Sequence, residues 1–386
     1  MEVRLIKPEE AADYLRVSAA SFIWKFNKDV DNEVQMPVLA AFHEGKLVAG
    51  MELFNYKCSY CKNIIDILVL DGICCLPEYR RAGGVRAMFN HIEKAAAEQG
   101  IAAGFLSPFS IEYYEKFGFA SLNRTFSIKV PFNKLEHIPR SNNVELYTGE
   151  QFEELCRLHN KCALNESLVV IRGDKRQFCE NPLENTDYTY IRRNPAGEAD
   201  GYVRFKVNRP DTLVAEELFV LSPDALKEIV GFLRNYDGIV KNLLVNKQYI
   251  GSPFSSLAER IDGVKLEHTK GIAGRIYNLK KLLESNTYPD EYGKFSILSL
   301  DTIEQNKGIF EVEYENGKAT VTHKADGDYD IALTPPAAAK LLLAGEGHTA
   351  QTVSFIDGVT LKTQAEAFFR TFPHRPTRFA DCIWSV

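Results

Sequence analysis

The most constraining stretch of this 386-residue chain is Ile73-Cys74-Cys75-Leu76-Pro77-Glu78-Tyr79-Arg80-Arg81-Ala82-Gly83-Gly84-Val85-Arg86. Ile64 to Leu76 is dense in Ile, Leu and Val and reads as strand. A basic, glycine-bearing loop follows from Arg80 to Gly84. Val85 to Gln99 then sets Met88, Phe89, Ile92 and Ala95 on one helical face, with Gly100 as the C-cap. That order suits a pyrophosphate. The first N–H groups of a helix lack internal partners, and its dipole favours negative charge. Gly83 and Gly84 let the main chain approach an anion with no side chain in the way. Arg80, Arg81 and Arg86 add charge.

Residues 1–130 alternate helix and strand around this loop. Ala11, Tyr14, Leu15, Ser18 and Phe22 recur at helical spacing, which predicts a helix over Pro8 to Phe26. Val38 to Phe42 and Leu47 to Tyr56 read as a hairpin across the turn at His43 to Lys46. Ala102 to Leu106 is a short buried strand, Ile111 to Glu115 a short helix, and Phe126 to Val130 a further strand.

Residues 131–285 repeat the plan in degraded form. Tyr188 to Arg193 and Gly201 to Val207 mimic the hairpin, and Thr212 to Leu221 mimics the strand before the loop. There Ser222 and Pro223 cap and open the following helix, and the Arg/Gly loop is missing. Residues 286–386 differ again. Asn316-Gly317 centres a hairpin between Lys307 and Val321, Thr334-Pro335-Pro336 opens an Ala/Leu helix, and a second helix is predicted over Lys362 to Arg370. The apolar tail Phe379 to Val386 does not read as a solvated terminus, and is expected to be buried or tucked into a cleft.

Composition narrows the function. A net charge of -6 argues against nucleic acid as partner and is compatible with a cationic small substrate. No apolar run is long enough to span a bilayer, since Asp66 and Asp71 interrupt the best candidate. The start Met-Glu-Val-Arg-Leu shows no secretory pattern, so the expectation is a cytoplasmic protein that does not meet the membrane. Eight cysteines in so long a chain point to reduced thiols. Cys58, Cys61, Cys74 and Cys75 make a poor metal set, because neighbours on a strand face opposite ways, and no metal is expected.

Pro77-x-x-Arg80-Arg81-x-Gly83 and Leu106-Ser-Pro-Phe-Ser110 followed by Tyr114-x-Lys-Phe-Gly118 resemble the Eis-like (enhanced intracellular survival) acetyltransferases of the GNAT superfamily. The resemblance implies an α+β fold with mixed sheets: a GNAT domain over 1–130, a degenerate GNAT domain over 131–285, and a sterol-carrier-protein-like α+β domain over 286–386. It departs from the superfamily pattern at Val85, where Gly or Ala is usual. It implies acetyl-CoA as co-substrate. Ile73, Cys74 and Cys75 would pair with its pantetheine arm through their main chain. Arg80, Arg81, Ala82, Gly83, Gly84, Val85 and Arg86 would hold the phosphates, and Phe109 and Ser110 would add backbone contacts.

Acetyl transfer to an amine needs an acid near the leaving sulfur and a base for the amine. The resemblance puts the acid on Tyr114, with Tyr113 the competing assignment, and the base on the C-terminal carboxylate of Val386. Trp24, Asp29, Asp31 and Trp384 are candidates for the acceptor site. Implied acceptors are aminoglycoside-like polyamines, lysine side chains or peptides. The family also implies a homo-oligomer, a trimer or hexamer. The competing function is a non-catalytic acyl-CoA- or lipid-binding protein or scaffold.

Overall fold

The computed structural model describes residues 1–27, 31–122, 125–173, 187–268 and 271–378. The first stretch forms β1 (Glu2–Leu5), α1 (Ala11–Phe22), β2 (Val38–His43), β3 (Lys46–Tyr60), β4 (Asn63–Cys75), α2 (Gly84–Glu98), β5 (Ala103–Leu106), α3 (Ile111–Glu115) and β6 (Ala120–Ser121). The middle forms β7 (Phe126–Pro131), β8 (Glu145–Leu146), α4 (Phe152–Ala163), β9 (Asp187–Arg193), β10 (Ala199–Asn208), β11 (Thr212–Val220), α5 (Pro223–Leu233), β12 (Asn242–Gln248), α6 (Pro253–Ala258), β13 (Lys265–His268), β14 (Ala273–Ile276) and α7 (Leu279–Glu284). The last part forms β15 (Gly293–Ser299), β16 (Gly308–Glu315), β17 (Lys318–Lys324), β18 (Ile331–Leu333), α8 (Pro335–Leu343), α9 (Ala350–Val353), β19 (Val359–Leu361) and α10 (Glu366–Thr371).

Two seven-stranded sheets and one five-stranded sheet result, in the orders β1-β2-β3-β4-β5-β14-β6, β13-β7-β12-β11-β10-β9-β8 and β17-β16-β15-β18-β19. The first two exchange strands. Phe126 to Val130, read from sequence as part of the first unit, lies instead in the second sheet as β7, between β12 and β13. Phe126, Ile128 and Val130 bury there in the second core. In return β14 slots between β5 and β6. It fits because Gly274 has no Cβ: one would lie 2.3 Å from Leu122.

Local chemistry sets several element ends. α1 buries Ala11, Tyr14 and Ser18 as its spacing predicts. It stops at Phe22, short of the predicted Phe26, because Ile23 turns left-handed (φ 60°) and closes the last turn on Ala19. The β2–β3 turn uses Glu44 and Gly45 at φ 50° and 79°. β3 and β4 form a second, longer hairpin whose turn residues, Cys61 and Lys62, are both left-handed without glycine. The helix predicted over Lys362 to Arg370 begins only at Glu366, because Val359 to Leu361 pair with β18 first.

One apolar core runs from β4 and β5 into the third sheet, joining Ile67, Val69 and Phe105 to Phe295, Ile297 and Leu341. A buried ion pair locks the same seam. Arg275 on β14 donates to both carboxylate oxygens of Asp301, at 2.9 and 2.6 Å, and lies 3.6 Å from Glu93 on α2. Its guanidinium also backs Gly118, where a Cβ would sit 2.6 Å from it. Removing one partner leaves a buried charge uncompensated. Asp301→Ala should therefore lower the unfolding free energy by about 3–5 kcal/mol in chemical denaturation. An unchanged midpoint would mean the seam does not depend on this pair.

Candidate functional site

β4 runs parallel to β5 only from Ile67 to Leu70, opposite Ala103 to Leu106. It then continues to Cys75 on β3 alone. The β3–β4 register slips here, pairing Gly50 with Cys74 but Glu52 with Asp71, so that Gly72 and Ile73 bulge opposite Met51. Gly72 sits at φ 56°. Leu76 N–H donates to Val48 O, so by strand alternation Ile73 and Cys75 turn their main chain into the gap beyond Leu70. The Ser21 hydroxyl lies 3.1 Å from both the N–H and the carbonyl of Cys75. A ligand lying along β4 would meet Ile73 first and exchange with Ser21 at Cys75. Cys74 faces β3 and is buried.

The loop at the end of β4 opens α2 without a cap. Gly83 is left-handed (φ 91°) and no side chain caps the helix. A Cβ at Gly83 would meet nothing within 4 Å, so its surface is open. Gly84 is buried, 3.5 Å from Ala49 at its notional Cβ. Arg80, Arg81 and Arg86 are exposed around this open end, with Arg86 over the Phe117 ring at 5.2 Å. Ala82 is exposed and Val85 half-buried. The corresponding helix of the second sheet, α5, is closed: Ser222 accepts from Ala225 N–H. One helix start is uncapped with a cationic rim, and the other opens on Pro223 with its Ala225 N–H taken by Ser222.

Tyr114 stands on the opposite bank. Ser110 caps α3 by accepting from Tyr113 N–H. That sets Tyr114 into the core beside Leu70 and Leu106, the last paired residues before the gap. It is 3% exposed, ringed by Phe89, Phe109 and Phe119, and its hydroxyl has no hydrogen-bond partner among the described residues. Burial pushes its pKa up, helped by Tyr113 and the charge of Asp71, so it keeps its proton. Tyr113 is only half-buried and lies against Phe109, ring centroids 5.2 Å apart and planes tilted by 39°. Phe109 is 70% exposed, a bare aromatic at the rim.

α1 covers the other face of the sheet. Tyr14 donates to Glu52 Oε1 at 2.9 Å and lies 3.3 Å from Gly72 O. Register puts Asp71 directly across from Glu52, and Gly72 N–H donates to Asp71 at 2.7 Å. Sequence reasoning passed over Tyr14, Ser21, Glu52 and Asp71. The one sequence signal for them is Asp71, which with Asp66 interrupts the apolar run of β4. Trp24 is 37% exposed, packs edge-on to Phe26, and follows α1. Asp31 accepts from Asn27 N–H at 2.6 Å, tying its loop to that end. Asp29, Trp384 and Val386 lie outside the described residues. Among the described residues no group of three or more His, Cys, Asp or Glu is placed to hold a metal, and no helix is long and apolar enough to cross a membrane.

Two segments match family descriptions of this geometry: residues 2–122 and residues 172–276 each match the acetyltransferase (GNAT) domain. The chain carries two GNAT acetyltransferase domains. It is accordingly an N-acetyltransferase enzyme. No curated relative matches it. Its fold is similar end to end to a probable N-acyltransferase from Enterococcus faecalis (18% identity, TM-score 0.86, 98% of each chain covered). It is also similar to a GCN5-related N-acetyltransferase from Anabaena variabilis (17% identity, TM-score 0.82, 97% of each chain). A third similar structure is Eis1 from Mycobacterium abscessus (16% identity, TM-score 0.73, 98% of this chain and 97% of that one).

Burial raises the pKa of both Glu52 and Asp71, and Asp71 raises Glu52 further. A carboxyl raised in the folded state adds stability that is complete below its unfolded pKa and is lost as pH rises through the folded value. Glu52→Gln should therefore raise the thermal midpoint at about pH 7, and the gain should vanish below about pH 4. A lower midpoint at neutral pH would show that the ionised form stabilises the fold.

Proposed function

We propose that this enzyme transfers acetyl from acetyl-CoA to an amine in the gap beyond Leu70, with Tyr114 as general acid and the Val386 carboxylate as general base. The open, uncapped N-terminus of α2, rimmed by Arg80, Arg81 and Arg86, carries the reading of the cofactor. Those groups fit a pyrophosphate, and the free main chain of Ile73, shared at Cys75 with Ser21, fits an extended amide-bearing arm along β4. When bound, acetyl-CoA supplies an activated acyl group and a thiolate leaving group.

The buried, proton-retaining hydroxyl of Tyr114 supports its role as acid: it can give its proton to the departing sulfur. Phe89, Phe109 and Phe119 surround its ring edge-on. Chain geometry supports Val386 as base. Arg378 is buried, paired with Glu166 at 3.0 Å, and its N–H donates to Ser167 O. Leu168 N–H in turn donates to Ser59 O on β3. Ser59 and Glu52 are separated by about 23 Å of strand. The residues after Arg378 can span about 26 Å when extended, the same order as that distance. The Val386 carboxylate would accept the amine's proton in the gap.

Acceptors are aminoglycoside-like polyamines, lysine side chains or peptides, received where Trp24 and the Asp31 loop flank α1. The domains are read as GNAT over 1–130, degenerate GNAT over 131–285, and a sterol-carrier-protein-like unit over 286–386, with β7 and β14 exchanged between the first two. An Eis-like homo-oligomer, trimer or hexamer, working in the cytoplasm accompanies this reading.

Thiol release from acetyl-CoA with a polyamine panel tests it. Tyr114→Phe should cut kcat by about 100-fold or more with KM for acetyl-CoA little changed. Extending the chain beyond Val386 should also reduce kcat sharply. Full turnover in the extended chain would remove Val386 from the base role. Full turnover in Tyr114→Phe would remove Tyr114 as acid.

A further inference from the structure

We propose that Arg378 is a positioning residue, which fills the gap of the second GNAT sheet and so fixes where the C-terminal segment sets out for the acetyl-transfer site; this rests on the reading of Val386 as base. The second sheet opens as the first does. β11 runs parallel to β12 only from Thr212 to Ala215, opposite Asn242 to Val245. It then continues to Val220 on β10, past a bulge at Glu216. β12 continues to Gln248 on β7. The two strands thus part beyond Ala215, as β4 and β5 part beyond Leu70. Leu218 stands as far beyond Ala215 as Ile73 stands beyond Leu70.

In the first sheet that position is open to the amide arm of a ligand. In the second it is taken by the chain itself. Arg378 Nη1 donates to the Leu218 carbonyl at 3.0 Å. Its guanidinium lies over the rings of Phe219, next on β11, and Tyr249, next after β12, at 4.5 and 5.5 Å. It therefore stands between the parting strand ends. Glu166 supplies the countercharge 3.0 Å from Nε, and the Tyr249 hydroxyl donates to Glu166 at 3.1 Å. A buried guanidinium held by a carbonyl, a carboxylate and two ring faces has one geometry, because its planar fork satisfies all of them only there.

A second observation ties this anchor to the first sheet. Ser167 N–H donates to Pro376 O at 2.8 Å, and Arg378 N–H donates to Ser167 O at 3.0 Å. The same segment pairs onward with β3: Leu168 N–H donates to Ser59 O at 2.7 Å, and Ser59 N–H to Val169 O at 2.8 Å. β3 is the strand that holds β4 along the acetyl-transfer gap. The main chain at Arg378 is thus registered against the sheet that the residues after it must reach. Residues 379–386 lie outside the described residues, and what the geometry fixes is their point of departure. A tether with a fixed start loses less entropy when its end is brought to the gap.

Trp384 reports on that segment independently of turnover. The chain holds 2 tryptophans, so Trp24→Phe leaves Trp384 alone. In that full-length background, acrylamide quenching of Trp384 should rise severalfold on Arg378→Met. Arg378→Lys keeps a charge beside Glu166 but loses the fork that reaches carbonyl and carboxylate together. It should melt close to the background chain and still show the rise. With Trp24 retained, both substitutions should cut kcat by about 10- to 100-fold and leave KM for acetyl-CoA unchanged. In a chain extended beyond Val386 they should cost little more, because the carboxylate they misplace is already blocked. Unchanged Trp384 quenching in both variants would overturn the proposal. So would an equal loss of kcat in the extended chain, since Arg378 would then act through the fold and not through the tail. Full turnover in the extended chain, with Trp384 released by both variants, would instead count against Val386 as base alone.

Discussion

The structure depends on one withheld set of hydrogen bonds, those that β4 and β5 stop making after Leu70. A sheet normally satisfies its main chain internally, and unpaired strand edges are costly or reactive. Here β3 continues to hold β4 on one side, and the bulge at Gly72 and Ile73 twists the free side away. The chain thus keeps an edge inside a sheet. That edge lies in line with the uncapped end of α2, so an extended arm and a phosphate cluster can be held by one continuous run from Ile73 to Gly84.

Such an opening needs rigid support. The strand exchange of β7 and β14 ties the first two sheets so that neither closes without the other. Arg275 sits at the centre of that support: it reaches Asp301 before the third sheet's β16, approaches Glu93 on α2, and backs Gly118 of the Tyr114 turn. The second sheet keeps the architecture of the first but has shut its equivalent of the α2 end with Ser222. Among the described residues, its buried acids Glu217, Asp200 and Glu166 each face an arginine, Arg172, Arg192 and Arg378. The contrast separates a copy whose α2 start is left open from one whose corresponding helix is capped.

Much of this was legible in residue order. Pro77 to Arg86 announces the loop, the spacing of Met88, Phe89 and Ile92 announces α2, and Asn316-Gly317 announces the third-unit hairpin, because each is local chemistry. The short helix α3 that carries Tyr114 is likewise local, set by the Ser110 cap. The strand exchange was not legible: Phe126 to Val130 and Ala273 to Ile276 are apolar strands that fit either sheet, and only packing around Gly274 decides. The Cys61–Lys62 turn escaped because it lacks the usual glycine or asparagine. Glu52 and Asp71 escaped because they lie far apart in the chain and meet only through register.

The most direct test is a crystal structure of the full chain with acetyl-CoA. The pyrophosphate should lie on the N–H groups that follow Gly83. The pantetheine should run along Ile73 in the gap, displacing Ser21 from Cys75, and the sulfur should come within hydrogen-bond distance of the Tyr114 hydroxyl. A cofactor bound elsewhere, or a thioester on the far side of β4 from Tyr114, would contradict the account.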